Sequence, residues 1–295
     1  MAEKTALGDF LRSRRGGVKP EDVGVASRGA RRVPGLRREE LAQLAGVSVT
    51  YYTRLEQGQS TNASESVIDA LARALDLNDD ERAHLHDLAR PVRAKRRRPT
   101  RPAVARPGTR QVIDAMVNVP AVVLGRHSQV LAWNTLGHLL LAGHYAFDAP
   151  DHVAERPNLT KMLFLDSHHR HLYVRWEDEA SRAVASLSLV AGRYKDDRDL
   201  AELIGELTMK SPEFASMWSK HPVANCTSGT KYFRHPEVGD LALEFEALHL
   251  PDEPGHRILM YSARPGTASE AALRLLQSKV LPEHPVLDRA RELEA

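Results

Sequence analysis

Val49, Thr50, Tyr51 and Arg54 form a short run of side chains suited to reading a DNA groove. A threonine hydroxyl can bond a base edge while its methyl packs on a thymine methyl. Arginine takes a guanine edge through two parallel bonds, and both arginine and tyrosine reach phosphate oxygens. Ser48 precedes the run, and Arg37 and Arg38 stand a few residues earlier as further cations. At helical spacing the four fall on one side, opposite Tyr52 and Leu55, and acid is absent from the outer side until Glu56.

Other reactive types do not assemble. His168-His169-Arg170-His171 invites a metal, since imidazole is a common ligand. Neighbouring histidines project in different directions, however, and no second carboxylate-histidine motif completes a site. That cluster is expected to be a solvated patch at a helix end, with His84 and His86 on the surface. Glu177-Asp178-Glu179 reads as a solvated helix start. Cys226 is the single cysteine, so neither an internal disulfide nor a cysteine-based zinc site can be built. Gly-x-Ser-x-Gly and phosphate-loop patterns are absent. The expectation is a protein that is not an enzyme and carries no cofactor or metal.

The groove-reading residues need a scaffold, and residues 36–58 supply one. A first helix is expected over Arg38 to Ala45, with Leu41, Leu44 and Ala45 at apolar spacing and Ala42 small enough for a close crossing. Gly46 permits a left-handed turn. Ser48 caps a second helix, whose inner face is Tyr52 and Leu55, and Gly58 stops it. This is the pattern of a helix-turn-helix, whose outer face enters the major groove.

These residues resemble the DNA-binding unit of the XRE (Cro/repressor-like) transcription regulators. The flanks extend the resemblance. Ala6-Leu7-Gly8-Asp9-Phe10-Leu11-Arg12 is similar to that family's first helix, and Ser64 to Leu75 to its fourth, with Val67, Ile68, Leu71, Ala74 and Leu75 as the buried stripe. A fifth helix is expected over Asp79 to Ala89, with acids at its positive end and Leu85 and Leu88 inward. The resemblance implies an all-α, five-helix, lambda-repressor-like DNA-binding domain over 1–90. Arg28, Arg31 and Arg32, in the insertion between Leu11 and Leu36, are phosphate-contact candidates or solvated loop.

Length and charge agree with this division. The 295 residues suggest about two domains. Residues 1–106 hold 21 Lys or Arg against 14 Asp or Glu, whereas the remainder holds 20 against 25. A basic third joined to an acidic remainder suits a phosphate-binding module tied to a domain with another task. Residues 91–107 combine four prolines with seven basic residues and are expected to be an extended linker. Arg96, Arg97 and Arg98 could track a DNA backbone or be solvated spacer. No run of about eighteen apolar residues argues for a membrane span. The N-terminus lacks a secretory pattern, and the cytoplasm is the expected compartment.

The second half has a different texture. Arg110 to Val117 reads as a helix, followed by strands 121–124 and 130–133 joined as a hairpin. Helices are expected from Asn134 to Leu141 and around Leu159 to Leu165. Others follow where Ala180, Ala183, Val184 and Leu187, and then Leu200, Leu203, Ile204 and Leu207, show helical spacing. Ser211-Pro212-Glu213-Phe214 starts another, with serine as cap and proline first. Strands are expected over 225–228, 231–235, 240–250 and 257–263, with Gly229-Thr230 and Pro251 to Gly255 as turns. The order predicts a multidomain chain in which the helical module precedes an α+β, PAS-like domain.

Pro120-Ala121-Val122-Val123-Leu124-Gly125, Val130-Leu131-Ala132-Trp133-Asn134, Ser211-Pro212-Glu213-Phe214 and Gly229-Thr230-Lys231-Tyr232-Phe233-Arg234-His235-Pro236 resemble the MmyB-like regulators of bacteria. The resemblance implies a PAS-like ligand-binding domain over 108–266, with a fatty acid or other apolar small molecule as guest, and 267–295 as a helical tail. Trp133, Asn134, Phe164, Phe214, Met217, Trp218 and Phe233 are the ligand-binding candidates, or simply core. Asn134, just after a strand, either caps the next helix or points into a cavity. The partners expected are double-stranded DNA and a second copy of the chain, without a membrane. A C-terminal half serving only dimerisation or a protein partner, as in antitoxin-like regulators, and an enzyme fused to a DNA-binding module stay open as alternatives.

Overall fold

The computed structural model describes residues 5–25, 35–60, 63–90 and 102–279. Helix α1 (Ala6–Gly17) starts at Thr5, whose side chain accepts from Gly8 N. It is followed by α2 (Arg38–Leu44), α3 (Val49–Glu56), α4 (Glu65–Ala74) and α5 (Asp79–Ala89). Side-chain caps at Ser48, Ser64 and Asn78 set the starts of α3, α4 and α5, satisfying amides that have no partner within the helix. After α6 (Pro107–Asp114) come β1 (Ala121–Leu124), β2 (Val130–Trp133), α7 (Thr135–Ala142), α8 (Leu159–Leu165) and α9 (Ser167–Leu172). The chain continues through α10 (Trp176–Arg193), α11 (Arg198–Lys210), α12 (Pro212–Trp218), β3 (Ser228–His235), β4 (Gly239–His249), β5 (Arg257–Ser262) and α13 (Ala268–Ser278).

Contacts divide the chain into two compact units: residues 1–100 with 180–226, and residues 101–179 with 227–295. The span 108–266 expected as one domain therefore contributes to both.

The first unit is all helical. Phe10, Leu11, Leu36, Leu41, Tyr52, Leu55, Ile68, Leu71 and Leu85 are fully or almost fully buried in a single core. Leu44 departs from expectation and is 40% exposed. Residues distant in sequence complete this core, since Val223 is buried in it and Leu189 packs against it. Lys195 Nζ donates to the carbonyls of Leu88 and Arg90 at 2.6 and 2.9 Å, closing the end of α5 where carbonyls lack helical partners. Asn225 N donates to Asp80 Oδ2 at 2.8 Å. That segment was expected to be a strand; its amide is instead satisfied by a helix start in the first unit.

The second unit is built on an antiparallel sheet in the order β2-β1-β5-β4-β3, with helices and no parallel pairs among the described strands. This agrees with the α+β, PAS-like expectation. Gly229 and Thr230, expected to turn, lie inside β3 opposite Phe245 and Glu244. β4 is long enough to offer them ladder partners, and pairing there outweighs local turn preference. α6 packs on one face, where Ile113, Ala121, Val123, Leu131 and Ile258 form a core that also buries Ala105. The described residues of the expected linker are 102–107: Ala105 packs inside this unit and Pro107 begins α6, so this end is not an extended spacer. Arg96, Arg97 and Arg98 lie outside the described residues, as do Arg28, Arg31 and Arg32.

Candidate nucleic-acid interface and ligand-binding region

The turn between α2 and α3 is built locally. Gly46 has φ of 67°, a left-handed conformation in which a side chain would be strained. Ser48 Oγ then accepts from Tyr51 N at 3.1 Å, which fixes the start of α3. Tyr52 and Leu55 point inward and are fully buried. Val49, Thr50 and Arg54 are exposed together with Ser48, while Tyr51 is half-buried and packs against the core. Arg37 and Arg38 are exposed at the start of α2, where the backbone N–H of Arg37 donates to Glu40 Oε2 at 2.7 Å. The structure therefore places six of the seven candidate residues at the starts of α2 and α3 and Arg54 in the last turn of α3, with six of the seven exposed and Tyr51 serving core and surface.

Beneath them lies a relationship that sequence reasoning missed. Glu56 turns inward, and its side chain is fully buried. Arg15 donates to it through Nε and Nη2 at 3.2 and 3.0 Å, and Arg38 through Nε and Nη2 at 3.3 and 2.9 Å. Arg12 Nε adds a bond of 3.3 Å. Burial by itself would raise the Glu56 carboxyl, but the bonds and charges of Arg38 and Arg15 prevail and hold it down at about 2. Arg38 is thus oriented by a carboxylate on the opposite side from solvent. The available signal was spacing: Glu56 follows Tyr52 by four residues and so shares its face.

Two histidines expected at the surface are core instead. His84 is buried edge-on against Phe10, with ring centroids 5.1 Å apart, and burial lowers its pKa to about 4. His169 is buried with Nε2 2.8 Å from Leu141 O, and burial likewise lowers it to about 4. Only part of the His168–His171 cluster is solvated, because α9 turns one of its faces into the second unit. His86 is partly exposed and lies 3.1 Å from Asp69.

The ligand candidates separate. Phe214, Met217 and Trp218 belong to the first unit, where the Phe214 and Trp218 rings stack at 5.6 Å. Trp133, Asn134, Phe164 and Phe233 belong to the second. Asn134 Oδ1 accepts from Ala121 N and Gly137 N at 3.0 and 2.8 Å, while Nδ2 donates to Ile113, Met116 and Val119 carbonyls. Its amide caps α7 and ties three elements together. Trp133 Nε1 donates to Phe147 O at 2.7 Å, and Phe164 meets Trp176 edge-on at 5.6 Å. Phe233 is fully buried between Tyr173 and Tyr261, at 5.1 and 5.7 Å. A cavity of about 290 Å³ opens elsewhere in this unit, lined by Asn118, Leu136, Ser262, Glu270, Leu273 and Arg274 among others, and none of the seven candidates lines it.

Comparison with known families gives two matches. The family described as "MmyB-like transcription regulator ligand binding domain" matches residues 105–276. That described as "Helix-turn-helix domain" matches residues 6–85. No curated protein matches the chain.

Proposed function

The chain belongs to the MmyB-like transcription regulators, and from that premise we propose that its DNA binding answers to a fatty acid or similar apolar acid. That it is a DNA-binding transcription regulator with a ligand-binding domain follows from the two families it matches. The finer reading is ours. It takes Thr50, Tyr51 and Arg54 as base and groove contacts, with Arg37, Arg38, Ser48 and Val49 beside them on phosphates and sugar edges.

The observation that carries this assignment is the exposed, Ser48-capped start of α3, offered as a rigid end rather than as a loop. Anchoring by Tyr52 and Leu55 keeps that end from rotating, which base readout requires. Support for an apolar guest is the aromatic content of the second unit around Phe233, Tyr173 and Tyr261. We also propose that two copies act together, since helix-turn-helix proteins that read paired half-sites bind as dimers. Residues 1–90 and 108–266 remain our proposed functional spans.

The test is operator selection from random duplexes with the full chain, followed by mass spectrometry of small molecules released from the purified protein. An enriched sequence lost on replacing Thr50 and Arg54, and an acyl chain in the released fraction, are the expected results. Uniform affinity for all duplexes would remove the sequence-specific reading, and a released compound of another class would remove the fatty acid.

A further inference from the structure

The middle of one sheet face is apolar, with Phe233, Leu243, Phe245, Leu259 and Tyr261 as neighbours across the strands. Lys231 is a charged residue on this face, as is Arg257 at the far end of β5. The Lys231 side chain is 13% exposed, and its Nζ lies 2.8 Å from Glu179 Oε2, itself 7% exposed. Nζ also stands 4.7 Å from the ring centre of Phe245, 5.8 Å from Tyr173 and 5.9 Å from Tyr261. An ammonium against ring faces gains from their electron density, and most where water is excluded. Beside it, the hydroxyl of Tyr261 is buried without a hydrogen-bond partner.

Each of these polar groups is unfavourable for folding alone. A buried ion pair contributes little net stability, because both ions lose hydration, and an apolar pair of similar volume packs as well. A buried hydroxyl without a partner loses its bond to water and regains nothing. One anionic ligand oxygen pair would use both the ammonium and the hydroxyl.

The geometry points to Lys231 as the anion anchor of the effector site: the carboxylate of an amphiphilic effector replaces Glu179 at the ammonium and accepts a second bond from Tyr261, while its alkyl part lies along Phe233, Leu243 and Phe245. This rests on the apolar-acid reading above and adds the residues that select for the acid. Glu179 lies in the first turn of α10, so the exchange frees that turn from β3.

Calorimetric titration of the full chain with dodecanoate and with 1-dodecanol tests it. The wild-type chain should prefer the acid by about tenfold or more, as a charge-assisted bond implies. Lys231→Met should erase that preference while keeping dodecanol binding, Tyr261→Phe should weaken dodecanoate alone, and Glu179→Gln should strengthen dodecanoate. If Lys231→Met does not fold, as judged by circular dichroism, the Tyr261→Phe and Glu179→Gln titrations decide by the same criteria. An undiminished preference in folded Lys231→Met, or unchanged affinities in the other two, would overturn the anchor and leave the apolar-acid reading standing. A wild-type chain that binds neither compound would remove that reading and the anchor with it.

Discussion

Glu56 Oε1 accepts from Arg38 Nη2 at 2.9 Å and from Arg15 Nη2 at 3.0 Å, so one buried carboxylate ties α1, α2 and α3 together. Removing the charge leaves Arg12, Arg15 and Arg38 without this anionic partner. Glu56→Gln should therefore destabilise the first unit by roughly 3–5 kcal/mol, and it should weaken DNA binding by loosening Arg38. Urea unfolding at pH 7 and fluorescence anisotropy with operator DNA measure the two effects. The wild-type carboxyl sits at about 2 against an ordinary 4.5. Its stabilisation is thus complete above pH 4.5 and declines as the pH falls towards 2. Glu56→Gln should lose that part of the acid dependence.

Thr50→Ala should cost on the order of 1–3 kcal/mol against the selected operator and less against random duplex. Equal losses on both would assign Thr50 to phosphate positioning. Salt supplies the complementary measurement. Affinity for any duplex should fall by orders of magnitude between about 50 and 200 mM, because each neutralised phosphate releases counterions. A flat profile would contradict a face built on Arg37, Arg38 and Arg54.

A methyl group on Gly192 would lie 2.5 Å from the His84 ring, closer than atoms can approach. Gly192→Ala should accordingly destabilise the first unit by about 1–3 kcal/mol, seen as a lowered urea midpoint. His84 itself is held neutral, at about 4 rather than 6.5. Unfolding lets it bind a proton, so stability is full above pH 6.5 and falls as the pH drops towards 4, by up to about 3 kcal/mol. His84→Phe should flatten that window for the first unit. The second unit should keep its own loss over the same range through His169.

Fatty acids of increasing length should raise the melting temperature progressively. Each buried methylene contributes about 0.8 kcal/mol of binding, and stabilisation follows affinity. A thermal-shift series from C6 to C16, each at the same free concentration, checks this. No dependence on length would favour a C-terminal half given to dimerisation or protein contacts.

Fragment 1–90 is the proposed DNA-binding span, yet Val223, Leu189 and Lys195 pack on or cap its helices. Expressed alone it should bind operator DNA more weakly than the full chain and unfold at lower urea. An unchanged midpoint would show that residues 180–226 add nothing to its stability.

Local order was legible in the chain because it depends on residues a few positions apart. Ser48, Gly46, Tyr52 and Leu55 set the helix-turn-helix through a cap, a left-handed turn and helical spacing, and the structure has each in place. The β1–β2 hairpin and the Ser211-capped start of α12 follow from equally short patterns. What the tertiary structure decided concerns partners far apart in sequence. Glu56 is buried because Arg15, forty-one residues away, meets it. His84 is core because Phe10 and Gly192, both distant in sequence, pack against its ring. Gly229 and Thr230 extend rather than turn because β4 offers them partners. Lys231 belongs to an apolar face only after the sheet pairs Phe245 with Tyr261 and α10 brings Glu179 to it. Spacing within one element cannot register such neighbours, since burial and charge pairing are set by whatever the rest of the chain packs alongside.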